Sequence, residues 1–298
     1  MKDFVQFVFN GLSLGSIYAL LALGFVVIFK ATEVVNFAHG SILALGAYAI
    51  SRFSFNSHIE FYLAVLLGVA IAALLAFVIE RGLVRTMAGR SVIAVSIMTI
   101  GVDLIVRTET TRRIGVDVLT LGDPWRDGIV HVAGLTVPTA RVWAIVTALV
   151  ILAAFFAWFK FSSFGVAMRA SAEDSETASL MGIRMGRISA VAWVLAGALA
   201  AVAGVFLTAF PSAGLDASTG DVALRAFPAA ILGGLDSTGG AVVGGLIIGV
   251  AEVLTAGYQS DLTVLGRGFD QVMPYVVMVA VLLVRPTGLF GTREATRV

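Results

Sequence analysis

Long runs without any acidic or basic side chain dominate this sequence, and the most extended are Phe4–Phe29 and Ile188–Leu215. A helix of about 20 apolar residues crosses the hydrocarbon core of a bilayer. Inside that core the backbone must satisfy its own hydrogen bonds, which leaves helices and closed barrels as spanning structures. Barrel strands alternate apolar and polar residues, whereas these runs are continuously apolar. The sequence therefore predicts an α-helical membrane protein.

The composition agrees with this class and excludes several others. Of 298 residues, 59% are hydrophobic and 13% are charged, and the mean hydropathy is +0.98. Disordered chains, collagen-like fibres and nucleic-acid-binding domains are excluded, because each needs more polar residues or a basic excess. Here 20 basic residues nearly balance 19 acidic ones. The absence of cysteine excludes disulfides, thiolate metal sites and cysteine nucleophiles.

Charge-free windows mark the spans of a single domain that covers residues 1–298. Besides the two runs above, they are Val34–Ser51, Phe61–Ile79, Ser91–Val102, Val142–Phe159, Ser237–Ala251 and Gln271–Val284. A shorter window, Ala226–Leu235, counts either as a ninth crossing, with the N-terminus outside, or as a re-entrant segment. The predicted fold is an all-α polytopic bundle of eight or nine transmembrane helices, in which re-entrant or broken helices are allowed.

Basic residues orient this bundle, because short cytoplasmic loops are enriched in Lys and Arg. The basic residues that we assign to the cytoplasm are Lys30, Arg81, Arg85, Arg90, Lys160, Arg169, Arg184, Arg187, Arg285, Arg293 and Arg297. The loop 160–187 is then cytoplasmic and the loop 107–141 is extracytoplasmic. In the outer loop, the short runs Ile129–Val132 and Leu135–Val137 lie between turn-forming residues, which predicts a small hairpin cap.

The segment Glu33–Ser41 combines polar residues with the start of an apolar span. Asn36, His39 and Ser41 are costly in hydrocarbon unless they are hydrogen-bonded or face water, so they are candidates for a translocation pathway. The alternative is an interfacial helix start, with Asn36 as the cap and His39 at headgroup level. No metal site is expected, because His39, His58 and His131 lack a usable ligand spacing.

A glycine-rich tract follows the short window. Gly240 with Gly244, and Gly245 with Gly249, have the spacing that lets two membrane helices touch backbone to backbone. Asp236 or Ser237 is expected to cap the helix that carries them. The tract is not a phosphate-binding loop, because no Gly-Lys-Ser/Thr follows it. The chain is therefore expected to bind no nucleotide and no other cofactor.

The cytoplasmic stretch contains a predicted amphipathic helix over Ser171–Gly182. Ser171 with Asp174 resembles a capping box, acidic residues occupy the first turns, and Gly182 ends the helix. Such a helix could dock a soluble partner through its apolar positions, the alternative being a solvated connector. The residues assigned to this coupling helix are Arg169, Glu173, Asp174, Ala178, Met181 and Gly182.

Four ionisable residues lie close to apolar segments: Asp103, Arg225, Asp236 and Glu252. Each could serve a proton or ion relay. All four fall near segment ends, where helix capping or snorkelling satisfies a charge cheaply. We therefore favour a structural role for them.

Three stretches resemble the inner-membrane permease subunits of ABC importers. They are Asn36–Ala49, Ala167–Ile183 and Ala229–Glu252, and the similarity extends from Gly11 to Gly291. The high-affinity branched-chain amino-acid type, in its H-type subunit, is the most similar. Each motif alone is weak, and their combination in this order is specific.

The resemblance implies a division of labour in a bacterial inner membrane. A second permease, usually non-identical, would complete the pathway, and two cytoplasmic ATPases using ATP and Mg would dock on Ala167–Ile183. A periplasmic binding protein would deliver the amino acid. The chain itself would be a transport subunit and not an enzyme.

Other functions remain open from the sequence. Related permeases serve urea, short amides or aromatic acids, so the substrate is the least defined part. The rival of another class is a secondary transporter driven by an ion gradient, which would need carboxylates deep in its spans. A passive channel would need no docking loop, and an intramembrane enzyme would need a catalytic constellation that is absent from the sequence.

Overall fold

The computed structural model describes residues 2–57, 59–125, 128–132, 135–212, 214–260 and 268–292. The helices are α1 (Lys2–Thr32), α2 (His39–Ser51), α3 (Phe61–Ile79), α4 (Val92–Ile114), α5 (Thr139–Phe161), α6 (Ser163–Glu173), α7 (Ser175–Leu180), α8 (Met185–Leu207), α9 (Thr219–Leu224), α10 (Ala226–Gly233), α11 (Thr238–Gly257) and α12 (Met273–Val284). The described structure also contains two strands, β1 (Ile129–Val132) and β2 (Leu135–Pro138), two π-helical segments, Arg52–Asn56 and Glu80–Val84, and two 3-10 helices, Arg85–Met87 and Phe269–Gln271.

The bundle has two ends, which we name the hairpin end and the α6–α7 end. At the hairpin end, Leu119 and Leu215 exchange backbone hydrogen bonds. At the other end, the Lys30 ammonium donates to the carbonyl of Asp236 at 2.7 Å. Between these ends the described chain passes nine times, with α9 and α10 together forming one crossing. This agrees with the nine-crossing alternative and identifies the short window as a broken helix.

Among the described residues, five helices, α1, α3, α5, α8 and α11, are long and apolar enough to span a membrane. Of the other crossings, α4 is continuous but charged in its second half, α12 is short, and the remaining two are irregular. Helix α2 begins inside the bundle, after a non-helical stretch in which Val34, Asn36 and Ala38 are all buried. Non-helical backbone at membrane depth is tolerated where protein surrounds it, and here neighbouring helices do so. The predicted polytopic all-α fold with broken helices is confirmed.

Helix α1 is the centre of the bundle. Its residues from Ile17 to Leu23 are inaccessible to solvent, and it packs against α11, α8, α5 and α10. Lipid is as apolar as a leucine side chain, so burial alone does not hold membrane helices together and close packing has to do so. The α1 sequence supplies Gly11 and Gly15 on the face that meets α11.

The glycine tract uses two faces of α11. A methyl group added to Gly245 or Gly249 would collide with the backbone of α1 at Ala19 or Gly15. One added to Gly240 or Gly244 would collide with the backbone of α10. Each glycine pair thus forms its own interhelical contact. As predicted, Ser237 is the N-cap of α11, and its hydroxyl accepts a hydrogen bond from the Gly240 N–H at 3.0 Å.

The hairpin cap is confirmed in the described structure. Its two strands pair antiparallel, with Val130 opposite Val137. The side-chain amide of Gln6 donates to the Thr136 carbonyl at 3.1 Å, which ties the hairpin to the start of α1.

The segment predicted as one amphipathic helix over Ser171–Gly182 differs from that prediction. It forms two helices instead of one, because Asp174 adopts an extended conformation and its carboxylate caps α7 by accepting from the Thr177 N–H at 3.0 Å. Ser171 is not a helix cap. It lies within α6, where its hydroxyl donates to the Met168 carbonyl, and Ser162 provides the cap. Gly182 ends the segment with φ of +87°, as its sequence position predicts.

We expect Gly249→Leu to lower the thermal midpoint of the purified protein and its folded yield, without abolishing insertion. The side chain would separate α11 from α1 at a backbone contact, and overpacking of this kind costs about 1–3 kcal/mol. Gly239→Leu is the matched control, because Gly239 lies in the first turn of the same helix with nothing within 4 Å of its Cβ position. Equal thermal midpoints for the two variants would show that the close contact contributes nothing.

Candidate functional site

A tight polar turn precedes α2. The Asn36 side-chain oxygen accepts a hydrogen bond from the Ala38 N–H at 3.0 Å. From α4, the Thr99 hydroxyl accepts from the Phe37 N–H at 3.0 Å and so holds the turn against that helix. The Ser41 hydroxyl donates to the Ala38 carbonyl at 3.0 Å. The turn is therefore fixed by local hydrogen bonds and by hydrogen bonds with Thr99 of α4, whose hydroxyl also donates to the Val35 carbonyl at 3.3 Å.

His39 lies inside the bundle. Its ring packs on Phe25 with a centroid distance of 4.5 Å and occupies the space that the missing side chain of Gly24 leaves. The histidine is fully buried, so the alternative that places it at headgroup level is wrong. The Asn36 amide nitrogen has no hydrogen-bond partner within the described residues, and the polar group beside the buried His39 ring is the Leu21 backbone. Unsatisfied buried polar groups of this kind mark positions where water or a ligand can bind.

Asn36, His39 and Ser41 are thus brought together, and the helices of this chain enclose all three. Their role in a pathway stays a prediction. Of the other histidines, His131 lies on the hairpin, where its ring is 3.4 Å from the Thr136 hydroxyl, and His58 lies outside the described residues.

The broken helix packs directly on this turn. Gly40 and Gly220 meet backbone to backbone, which joins α2 to the start of α9. Phe227, at the start of α10, packs against Phe25 and Phe37 with centroid distances of 5.3 and 5.8 Å. The polar turn and the broken helix therefore form one packed unit, so a movement of one displaces the other.

A buried ion pair holds the break between α9 and α10. The Arg225 guanidinium donates to the Glu252 carboxylate at 2.9 Å, and the Tyr18 hydroxyl donates to its other oxygen at 2.8 Å. These three residues come from the break itself, from α11 and from α1. The guanidinium thereby fixes the break to the two central helices of the bundle.

The four ionisable residues singled out in the sequence belong to three separate clusters. Arg225 and Glu252 form the ion pair described above, and Asp103 and Asp236 belong to one further cluster each. Asp103 pairs with Arg107 at 3.0 Å, and Arg107 also bonds to Asp221 of α9. The Asp236 carboxylate accepts from the Thr292 N–H at 2.7 Å in the turn before α11. No continuous chain of carboxylates links these clusters among the described residues, which agrees with the structural role that we favour.

The α6–α7 segment presents an apolar tip. Leu180 and Met181 are both largely exposed at the end of α7. Ala178, by contrast, is 5% exposed, so its predicted place on the docking face is wrong: it points inward because α7 starts at Ser175. The Arg169 guanidinium donates to the Phe159 carbonyl at 2.6 Å and fixes α6 to the end of α5. The remaining members of the predicted set, Glu173 and Asp174, occupy the junction of the two helices.

Several residues of this site carry no signal in the sequence. Tyr18 and Phe227 are ordinary members of apolar runs, and Thr99 lies in a charge-free window. Arg107 and Asp221 are separated by 114 positions, so only the fold brings them together. An isolated charge next to an apolar run is the one feature that pointed to Arg225 and Glu252.

Each end of the bundle also carries a pocket beside α8. The pocket at the α6–α7 end has a volume of about 230 Å³ and is lined by residues that include Val34, Glu80, Arg85 and Ser189. The pocket at the hairpin end has a volume of about 370 Å³ and is lined by residues that include Thr120, Arg141 and Phe210. The Arg141 guanidinium there lies over the Phe210 ring at 4.6 Å from its centroid.

A bundle of apolar helices with a broken helix and an internal polar turn is the architecture of a polytopic membrane protein, and comparisons with known proteins show its family. The family model described as branched-chain amino acid transport system permease component matches residues 7–283. The chain is 35% identical to the high-affinity branched-chain amino acid transport system permease protein LivH of Salmonella typhimurium, over 99% of this chain and 98% of the relative. It therefore belongs to this permease family.

Two further relatives and one solved structure extend the comparison. BraD of Pseudomonas aeruginosa, a permease protein with the same description, is 29% identical over 99% of this chain and 98% of its own length. A probable LivH of Methanocaldococcus jannaschii is 29% identical over 93% and 89%. PsaBC from Streptococcus pneumoniae, solved in complex with a Fab, shares the fold with a TM-score of 0.50 and 13% identity, covering 93% of this chain and 91% of that one.

We expect Glu252→Leu to destabilise the protein strongly, by about 3–5 kcal/mol, because it leaves the Arg225 guanidinium without its partner. Tyr18→Phe removes one hydrogen bond from the same carboxylate and should cost only about 1 kcal/mol. Thermal unfolding in detergent measures both.

The double variant Glu252→Leu with Arg225→Met is the control for this comparison. Removing both charges should recover part of the lost stability. A double variant that is no more stable than Glu252→Leu alone would contradict the ion pair as the source of the effect.

Proposed function

We propose that this chain is the permease subunit of an ATP-driven importer for branched-chain or similar amino acids in the bacterial inner membrane. The observation that carries the proposal is the ordered α6–α7 segment with its exposed Leu180 and Met181, on a chain that belongs to the permease family over residues 7–283. In this proposal two separate ATPase subunits dock on that segment. A second permease, usually non-identical, completes the pathway, and a periplasmic binding protein delivers the substrate.

The docking role of the segment rests on its chemistry. An interface is anchored by a few buried apolar side chains, while charges at the rim contribute little. Leu180 and Met181 offer such an anchor, and the capping interactions of Asp174 and Ser162 keep both helices preformed. A preformed element needs little ordering on binding, which favours a coupling role over that of a solvated connector.

The proposed orientation places the α6–α7 end in the cytoplasm and the hairpin end outside. It follows from the basic residues in the loops at the α6–α7 end, among them Arg85, Arg169 and Arg184. A binding protein would then approach the hairpin, and ATPases would approach α7. Transport would follow from alternating access, in which ATP-driven movement of the docked segment shifts the helices around the pathway.

Purification of the complex from its native membrane tests the proposal. Two ATP-binding proteins and a second permease are expected to copurify, and the reconstituted complex should take up leucine only with ATP and with the binding protein. Uptake that is abolished by an ionophore and is independent of ATP would establish the secondary transporter instead. Uptake of urea or of an aromatic acid in preference to leucine would keep the class and change the substrate.

We expect Met181→Asp or Leu180→Asp to uncouple ATP hydrolysis from uptake, or to release the ATPases. Each variant places an unpaired charge in the ATPase pocket that the apolar side chain would fill. Loss of such an interface anchor costs about 2 kcal/mol or more of binding free energy, roughly 30-fold in affinity. Glu176→Gln is the control within the same helix and should retain near-normal coupling. Wild-type uptake by both aspartate variants, with the ATPases bound, would reduce the segment to a connector.

A further inference from the structure

A cluster of mixed charge lies on the partly exposed surface of the bundle where α4 and α9 meet. It consists of Asp103, Arg107 and Asp221, and we name it the α4–α9 charge cluster. Arg107 donates from one terminal nitrogen to Asp221, and its other terminal nitrogen lies 3.0 Å from the Asp103 carboxylate. Within the described residues, the second Asp103 oxygen and the Arg107 Nε are buried and have no hydrogen-bond partner. The cluster therefore retains hydrogen-bonding capacity that this chain does not use.

The cluster lies half-way along α4, because this helix continues through Arg107 to Ile114, and the expected start of the outer loop at residue 107 is wrong. Asp103 is the middle residue of α4 (Val92–Ile114), so it is about 16 Å from either end of that helix. In the nine-crossing arrangement α4 crosses a hydrocarbon core of about 30 Å, and Asp103 is then near the centre of that core. The side chains of Asp103, Arg107 and Asp221 are nevertheless 15%, 32% and 55% exposed on the isolated chain. Charges at this depth avoid lipid and face water or protein.

The surroundings of the cluster match one class of ligand. Next to the charges, α4 presents exposed Ile100 and Leu104. A carboxylate, a guanidinium and an apolar wall at one place are the three features that a zwitterion with an aliphatic side chain requires.

We propose that the α4–α9 charge cluster lines an aqueous substrate path, in which Arg107 binds the carboxylate and Asp221 the ammonium group of an aliphatic amino acid. The inference deepens the proposed function and rests on it, since the second permease would supply the opposite wall. Asp221 belongs to the broken helix, next to the Gly220 contact with α2. The substrate would therefore contact the unit that also contains the polar turn, while Asn36 and His39 stay behind it.

Cysteine labelling of the reconstituted importer tests the aqueous path, because the chain has no cysteine of its own. Leu104 is 65% exposed and one residue from the middle of α4. Its matched control is Leu149, which is 66% exposed and one residue from the middle of α5, a helix of the same length. A hydrophilic thiosulfonate reagent should modify Leu104→Cys at least about tenfold faster than Leu149→Cys. Equal rates would overturn the aqueous path.

Two further measurements test the ligand. Excess leucine, supplied with the binding protein, should slow the modification of Leu104→Cys, whereas 3-methylbutylamine and 4-methylpentanoate, which each lack one charged group, should not. Asp221→Asn and Arg107→Gln should each lower leucine uptake at least about tenfold at saturating binding protein. The control is Glu109→Gln, which should leave uptake unchanged, because among the described residues its carboxylate forms exposed pairs with Arg112 and Arg113 on the same helix.

The outcomes separate this inference from the proposed function. Labelling without leucine protection, or wild-type uptake by both charge variants, would overturn the ligand assignment while leaving the importer intact. If either charge variant fails to assemble, leucine protection in the Leu104→Cys protein decides. If the importer without substitutions transports no leucine, the proposed substrate and this ligand assignment are both wrong. The ratio of the modification rates of Leu104→Cys and Leu149→Cys would still show whether the path is aqueous.

Discussion

The contact between α1 and α11 at Gly15, Gly245 and Gly249 is the interaction on which the rest of the bundle depends. In lipid, helices gain little from burying apolar side chains against each other, so backbone proximity and the dispersion contacts it allows must hold them together. A second pair of glycines then places α10 on another face of α11. Since α10 carries Phe227 onto the polar turn before α2, the position of that turn follows from the glycine spacing in α11.

The broken helix is the second constraint, because its free backbone groups and its charges need partners at membrane depth. Ion pairs satisfy the charges: Asp221 of α9 bonds to Arg107 of α4, and Arg225 at the break bonds to Glu252 of α11. The hydroxyl of Thr219 and the carboxylate of Asp216 organise the turn before it. The break is thus held between the periphery and the centre of the bundle, which suits a segment that substrate would contact.

Local chemistry could be predicted from the sequence and long-range pairing could not. The hairpin, the Ser237 cap, the Gly182 stop and the spans follow from turn formers, capping residues and apolar runs that act over a few positions. The single helix expected over Ser171–Gly182 failed because Ser162 caps an earlier helix that runs through Ser171, and Asp174 then caps a second one. Moving the helix start changed which face carries Ala178. Asp221 and Arg107 had no local signal, since only the fold joins them.

The same contacts determine how a displacement of the α6–α7 segment would be transmitted through the bundle in the proposed importer. Helix α6 packs on α1, and the end of α1 holds the turn before α11 through Lys30 and the Asp236 carbonyl. The closing segment of the described chain holds that turn as well, because the Thr292 N–H donates to the Asp236 carboxylate at 2.7 Å. It also holds the end of α10, where the Leu289 N–H donates to the Leu232 carbonyl at 2.8 Å. Glycine contacts have no side chains that could rotate to absorb a displacement. A shift of α6 would therefore move α1, α11 and α10 together, and the polar turn and the broken helix would move with them.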